Sequence, residues 1–226
     1  MIMNGLRRLY RITLATSLLV APVLSFADNR STGEVEFSFF APYYFSEDVD
    51  FDGGASAELE DTLGFGFGIA YNINTYLASR FDFEWSSRNY DATRVADDDD
   101  NTRSDIRSRL DDVRLNLGLD YYFLGEGTIS PYITGNLGWQ SLDTNIPAGP
   151  PNTICWWDPW WGYICDGYQP TYTDSNWYYG AGIGVRVPLG RSNFFRIGYY
   201  ESRSSVSNTK SDPTFAQTRI EFGWAY

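Results

Sequence analysis

The chain has 226 residues, with 29 acidic against 17 basic side chains and no histidine, and that acidity argues against nucleic acid or an anionic surface as the main partner. A mean hydropathy of -0.34 is too polar for a helical membrane protein, whereas 18% aromatic residues and 21 glycines are unusual for a soluble one. Alternation reconciles the two, because averaging hides a membrane face that occupies every second residue.

Arg7, Arg8 and Arg11 precede an apolar run from Ile12 to Val23 and the small-x-small triplet Ser25-Phe26-Ala27. The run falls short of the roughly 20 apolar residues needed to span a bilayer. Residues 1–27 therefore read as a cleaved export signal and 28–226 as a single mature domain. In the first predicted strand, Val35, Phe37, Phe39, Ala41, Tyr43 and Phe45 alternate with Glu36, Ser38, Phe40, Pro42 and Tyr44. A polar segment from about Ser46 to Asp61 follows. Leu63, Phe65, Phe67, Ile69 and Tyr71 then alternate with Gly64, Gly66, Gly68, Ala70 and Asn72. Asn74-Thr75 turns into a third strand, with Leu77, Phe81, Phe83 and Trp85 set against Arg80, Asp82, Glu84 and Arg88.

Asp91 to about Asp105, including Asp97 to Asp100, reads as an acidic loop. In the fourth strand Val113, Leu115, Leu117, Leu119 and Tyr121 oppose Asp112, Arg114, Asn116, Gly118 and Asp120. Gly125-Glu126-Gly127 is the next short turn, and a fifth strand runs from about Ile129 to Leu142. A long Pro, Trp and Tyr-rich segment, Asp143 to Ser175, intervenes. Trp177 to Val187 and Phe195 to Tyr199 are the sixth and seventh strands, with Arg186 and Arg196 on their polar faces, and Ser202 to Asp212 is the last loop. The eighth strand sets Thr218, Ile220, Phe222, Trp224 and Tyr226 against Gln217, Arg219, Glu221, Gly223 and Ala225. A sandwich rarely leaves such a strand as an unprotected edge, whereas a closed barrel pairs its last strand with its first.

Long polar connections alternate with short turns, the rhythm of a barrel in an outer membrane. The expected fold is all-β, an eight-stranded antiparallel up-and-down transmembrane β-barrel. On this reading the aromatic face meets lipid, and the polar face points into a narrow lumen. There Glu36, Asp82, Glu84, Asp112, Asp120 and Glu221 would pair with Arg80, Arg88, Arg114, Arg186, Arg196 and Arg219. A soluble barrel would carry those charges outward instead.

The terminal Thr218-Arg-Ile-Glu-Phe-Gly-Trp-Ala-Tyr226 and the Gly64-Phe-Gly-Phe-Gly-Ile-Ala-Tyr71 strand resemble those of small outer-membrane barrels of the OmpA transmembrane-domain, OmpX and OmpW type. The resemblance covers essentially the whole mature sequence, and the usual last residue, Phe, is here Tyr226. It implies that Ile220, Phe222, Trp224 and Tyr226 form the signal read by the barrel assembly machinery. It also implies an outer-membrane location, with periplasmic chaperones, membrane lipid and lipopolysaccharide as partners.

The enzymes among such barrels use His as general base or its orienter, and this chain has none, so no enzymatic activity is expected. Gly64-x-Gly66-x-Gly68 lacks the following helix of a phosphate loop. Cys155 and Cys165, an even number in an exported chain, are expected to form one disulfide closing a small loop. Between them lie Trp156, Trp157, Trp160 and Trp161. These fit either an exposed tip for a surface glycan, a host surface or neighbouring lipid, or rings packed on one another and on the barrel rim. Asp48, Asp50 and Asp52 before Gly53 match the opening of a calcium loop, but Leu59 stands where the bidentate Glu belongs, so the segment reads as a solvated acidic loop screened by divalent ions, with weak calcium binding as the alternative. No other cofactor is implied. The leading functional expectation is a non-enzymatic barrel with a side-chain-filled lumen, acting in membrane structure and surface interaction through its external loops. The alternatives are a porin-like channel or transporter for small or hydrophobic solutes, and a surface adhesin.

Overall fold

The structure is a computed structural model that describes residues 30–51, 54–95, 103–125, 129–190, 192–206 and 209–226. The export-signal residues 1–27, Asp52 and Gly53, and Asp97 to Asp100 lie outside the described residues. In chain order the strands are β1 (Val35–Tyr44), β2 (Glu47–Asp50), β3 (Ser56–Leu59), β4 (Thr62–Leu63), β5 (Phe65–Asn74), β6 (Leu77–Val95) and β7 (Arg103–Tyr122). They continue with β8 (Ser130–Pro147), β9 (Asn152–Asp158), β10 (Gly162–Tyr168), β11 (Thr171–Pro188), β12 (Asn193–Ser204) and β13 (Thr214–Ala225).

Eight of them close a ring in the order β1, β5, β6, β7, β8, β11, β12, β13 and back to β1, every neighbour antiparallel. The seam pairs Glu36 with Ala225 and Tyr44 with Gln217. It is finished by the Tyr226 amide donating to the Val35 carbonyl at 2.9 Å and the Val35 amide donating to the Tyr226 carbonyl at 3.2 Å. Closure leaves the ring without an edge, which is what a sheet in lipid requires. Burial is inverted relative to a soluble protein: Phe39 is 61% and Leu117 63% exposed, whereas Glu36 and Arg196 are 1%. Glycines on the inward face make room for large rings. A Cβ on Gly66 would collide with the Phe40 ring, and one on Gly138 with the Tyr178 ring.

The wall is uneven. β1 and β5 have 10 residues each and β12 and β13 have 12, close to the length that crosses a bilayer. β6, β7, β8 and β11 have 19, 20, 18 and 18 residues and continue well beyond it. Among the described residues, the segments expected to be loops at 46–61, 91–105 and 143–175 are therefore largely strand. β2 and β3 form a hairpin whose β3 pairs with the upper part of β6, from Ser56 opposite Thr93 to Leu59 opposite Tyr90. β9 and β10 form a second hairpin paired only with each other, and β4 pairs with β1.

The physical reason these extensions escaped the pattern is a swap of polarity between the two faces at constant parity. On β7 the outward row reads Leu119, Leu117, Leu115, Val113 and then Asp111, Arg109, Arg107, while the inward row passes from Asp120, Arg114 and Asp112 to Leu110. Above the bilayer the outward face meets water and the inward face becomes an ordinary apolar core.

Candidate functional site

All twelve charged residues assigned to the lumen from sequence lie on the inward face, none more than 4% exposed. The lower group is interlocked. Arg219 reaches Asp82 at 2.9 Å and Glu221 at 3.4 Å, and Arg80 reaches Glu221 at 3.2 Å and Asp82 at 3.3 Å. Arg196 meets Asp120 at 2.6 Å, and Arg186 meets Glu36 at 3.1 Å. The upper group joins Arg114 to Asp112 at 2.7 Å and Arg88 to Asp112 at 3.5 Å, with Glu84 within 3.9 Å of Arg219. Six carboxylates (36, 82, 84, 112, 120, 221) face six guanidiniums (80, 88, 114, 186, 196, 219), so the formal charge of the set sums to zero. Pairing of opposite charges is what makes their burial tolerable.

Sequence reasoning missed two parts of this layer. Inward aromatic rings carry the guanidiniums: Arg219 lies 3.9 Å from the Phe40 ring centroid, Arg186 4.3 Å from that of Phe194 and Arg196 4.4 Å from that of Tyr132. The signal was present, since these rings share the parity of the charges. Arg30, a buried seventh guanidinium, stacks 3.7 Å from the Tyr122 ring centroid and donates to the Leu124 carbonyl at 3.0 Å. It precedes the first strand, where no periodicity could place it.

Above the charges the lumen changes character. The rings of Tyr44 and Phe215 lie against Arg88 and Arg114, at 5.0 and 5.4 Å from each guanidinium carbon. Beyond them opens a cup of about 510 Å³, walled by Val49 and Leu59 of the β2–β3 hairpin, by Tyr90, Leu110 and Leu142 of the tall strands, and by Phe215. The β2–β3 hairpin roofs the side where the wall is low. It is held there by a bridge between Phe51 and Thr209 and by the Lys210 amide donating to the Asp50 carbonyl at 3.0 Å.

The same hairpin carries Asp48 and Asp50 of the acidic motif, whose Asp52 and Gly53 lie outside the described residues. Asp48 and Asp50 lie on the extended strand β2, with Asp48 opposite Glu58 and Asp50 opposite Ser56, rather than in a loop that curls around an ion. Among the described residues no group of three or more His, Cys, Asp or Glu is arranged to hold a metal. Asp48, Asp50, Glu58 and Asp91 instead border an open groove on the outer side of the roof.

The β9–β10 hairpin carries the tryptophans. Cys155 and Cys165 are opposite one another and disulfide-bonded. At the tip the Asp158 carboxylate accepts the Trp160 and Trp161 amides at 2.8 and 2.9 Å, and Gly162 takes a φ of 75° that closes the turn. Trp157, Trp160 and Trp161 are 72%, 84% and 80% exposed and Trp156 43%. None makes a ring pair among the described residues. Because this disulfide ties only one external hairpin, Cys155→Ser should leave the barrel intact. The unboiled sample on a denaturing gel should migrate as wild type does, and loss of that form would tie these cysteines to barrel assembly.

Comparison with solved structures returns the same architecture. The outer membrane protein OprG from Pseudomonas aeruginosa superposes with a TM-score of 0.57 at 14% identity, over 88% of this chain and 99% of that one. Neisserial surface protein A superposes with a TM-score of 0.50 at 12% identity, over 85% and 97% of the two chains. No curated protein sequence matches significantly. The family model described as "Outer membrane protein beta-barrel domain" matches residues 12–226. A ring of eight strands, an apolar belt facing outward and this match over nearly the whole chain lead to one conclusion: the protein belongs to the outer-membrane β-barrel family, and its place is the outer membrane.

Proposed function

We propose that the protein is a non-enzymatic, non-conducting barrel that anchors a tall external wall and a tryptophan hairpin at the cell surface, where they contact a glycan or host surface. The observation that carries this reading is the charge-neutral layer of twelve buried side chains across the lumen. An eight-stranded barrel is only wide enough for side chains to fill, and these are locked by pairing rather than free to line a water path. The display side is supported by the hairpin's exposed rings and by a turn held by its own hydrogen bonds. Trp offers a rigid stacking face at small entropic cost. Replacing Trp156, Trp157, Trp160 and Trp161 together by Ser is expected to abolish attachment of cells to glycan-coated or host-matrix surfaces while the barrel keeps its gel mobility. Unchanged attachment would remove the hairpin from the function.

A second reading is favoured by the apolar cup, which suits retention of a small hydrophobic solute at the external mouth. Binding above a closed layer, rather than passage through it, is the form this reading takes here.

A further inference from the structure

We infer that the cup is a binding site for a small amphiphilic cation, an alkyl or aryl body carrying a protonated amine or quaternary ammonium head. The inference rests on the reading of the cup as a solute site and adds the charge of the solute.

The apolar body follows from the walls. Val49, Leu59, Tyr90, Leu110, Leu142 and Phe215, each at least nine-tenths buried, surround an open-mouthed cup of about 510 Å³. That volume lies within the range of small-molecule sites, and such sites are mostly apolar with a few polar groups that fix orientation. Thr93, Thr144 and Thr173 supply neutral polar groups among the lining residues.

The positive head follows from the charges. Among the described residues lining the cup, Asp174 is the only carboxylate and there is no Lys or Arg. Its Oδ2 accepts a hydrogen bond from the Asn176 side-chain amide at 3.0 Å, which holds the carboxylate in place. The groove over the roof adds Asp48, Asp50, Glu58 and Asp91 against the single base Arg107. The buried Arg88 and Arg114 below do not reverse this field. Asp112 pairs with both, Glu84 is a second carboxylate acting on both so that the four charges sum to zero, and the rings of Tyr44 and Phe215 lie against the two guanidiniums. A carboxylate-headed amphiphile would therefore meet a like charge, and an ammonium head an opposite one. Tyr90, Tyr172 and Phe215 also line the space, and aromatic faces attract cations.

The test uses the full-length barrel in lipid nanodiscs, because detergent is itself an amphiphile that would compete. Three probes share one body: 1-naphthylmethylamine, 1-naphthylmethanol and 1-naphthylacetate, titrated calorimetrically with empty nanodiscs subtracted. The amine is expected to bind about tenfold more tightly than the acetate, a difference of about one opposite-charge contact, with the alcohol between them. Asp174→Asn should bring the amine within about twofold of the alcohol, because only the charge contact is removed. Ala57→Trp, and independently Leu110→Phe, should weaken all three by filling the cup, with gel mobility confirming the barrel. Equal affinity for the three probes would overturn the charge inference while leaving the cup a solute site. Absence of saturable binding by any probe, or binding indifferent to both filling variants, would overturn the inference together with the solute reading beneath it.

Discussion

Arg219→Met should destabilise the folded barrel by about 3 to 5 kcal/mol, the range found when one partner of a buried ion pair is removed and the other charge is stranded. Arg219, like Arg80, meets three carboxylates: it touches Asp82 at 2.9 Å, Glu221 at 3.4 Å and Glu84 at 3.9 Å, and it lies on the Phe40 ring. Methionine fills part of the volume but leaves those carboxylates with one guanidinium fewer, in a lumen that water cannot readily enter. The urea midpoint of the barrel refolded in lipid vesicles, followed by the mobility of unboiled samples, measures the loss. Adding Asp82→Asn to Arg219→Met should recover part of it, because the net charge of the set of twelve returns to zero. A single variant as stable as wild type would mean the pairs do not hold the lumen together.

Leu117→Arg should block insertion or cost about 2 to 4 kcal/mol, the penalty for a base on the lipid face near mid-membrane. Leu117 sits on β7 opposite Phe81 on one neighbour and Leu137 on the other, and all three rows point outward into the belt. The same outward row already carries Arg109 and Arg107 higher up, both exposed and paired with Asp111 and Glu60. The effect thus depends on height and not on the residue type. Refolding yield into vesicles measures it. Wild-type yield for Leu117→Arg would place that row outside the hydrocarbon and invert the assignment of faces.

How far the sequence could be read follows from this geometry. Within the bilayer every strand alternates between lipid and lumen, so the eight ring strands and the face of each charge were legible from parity alone. Phe37, Phe39 and Tyr43 against Glu36 and Ser38 leave no other arrangement in a closed sheet. Above the bilayer both solvents change places. Asn89 and Asp91 point outward where Phe81 and Phe83 did below, and Tyr90 points inward in line with Asp82 and Glu84. A pattern that keeps its period but exchanges its polarity looks aperiodic when one polarity is assumed throughout. That is why the tall wall, the β2–β3 roof and the cup they enclose read as loop. Asp48 and Asp50 read as loop for a related reason: they are the outward row of a strand whose inward residue, Val49, lines the cup. The tryptophan segment was conspicuous by composition, but that it is a hairpin with Trp157, Trp160 and Trp161 exposed is seen only in its pairing across Cys155 and Cys165.

The closed lumen is tested most directly by planar-bilayer recording from the purified full-length barrel. No steady open level above the lipid baseline is expected in wild type, and openings are expected in Arg219→Met only to the extent that the barrel itself is perturbed. Steady, reproducible openings in wild type that persist when the β9–β10 hairpin is replaced by a short turn would contradict it, since they would require a water path through the layer of paired charges.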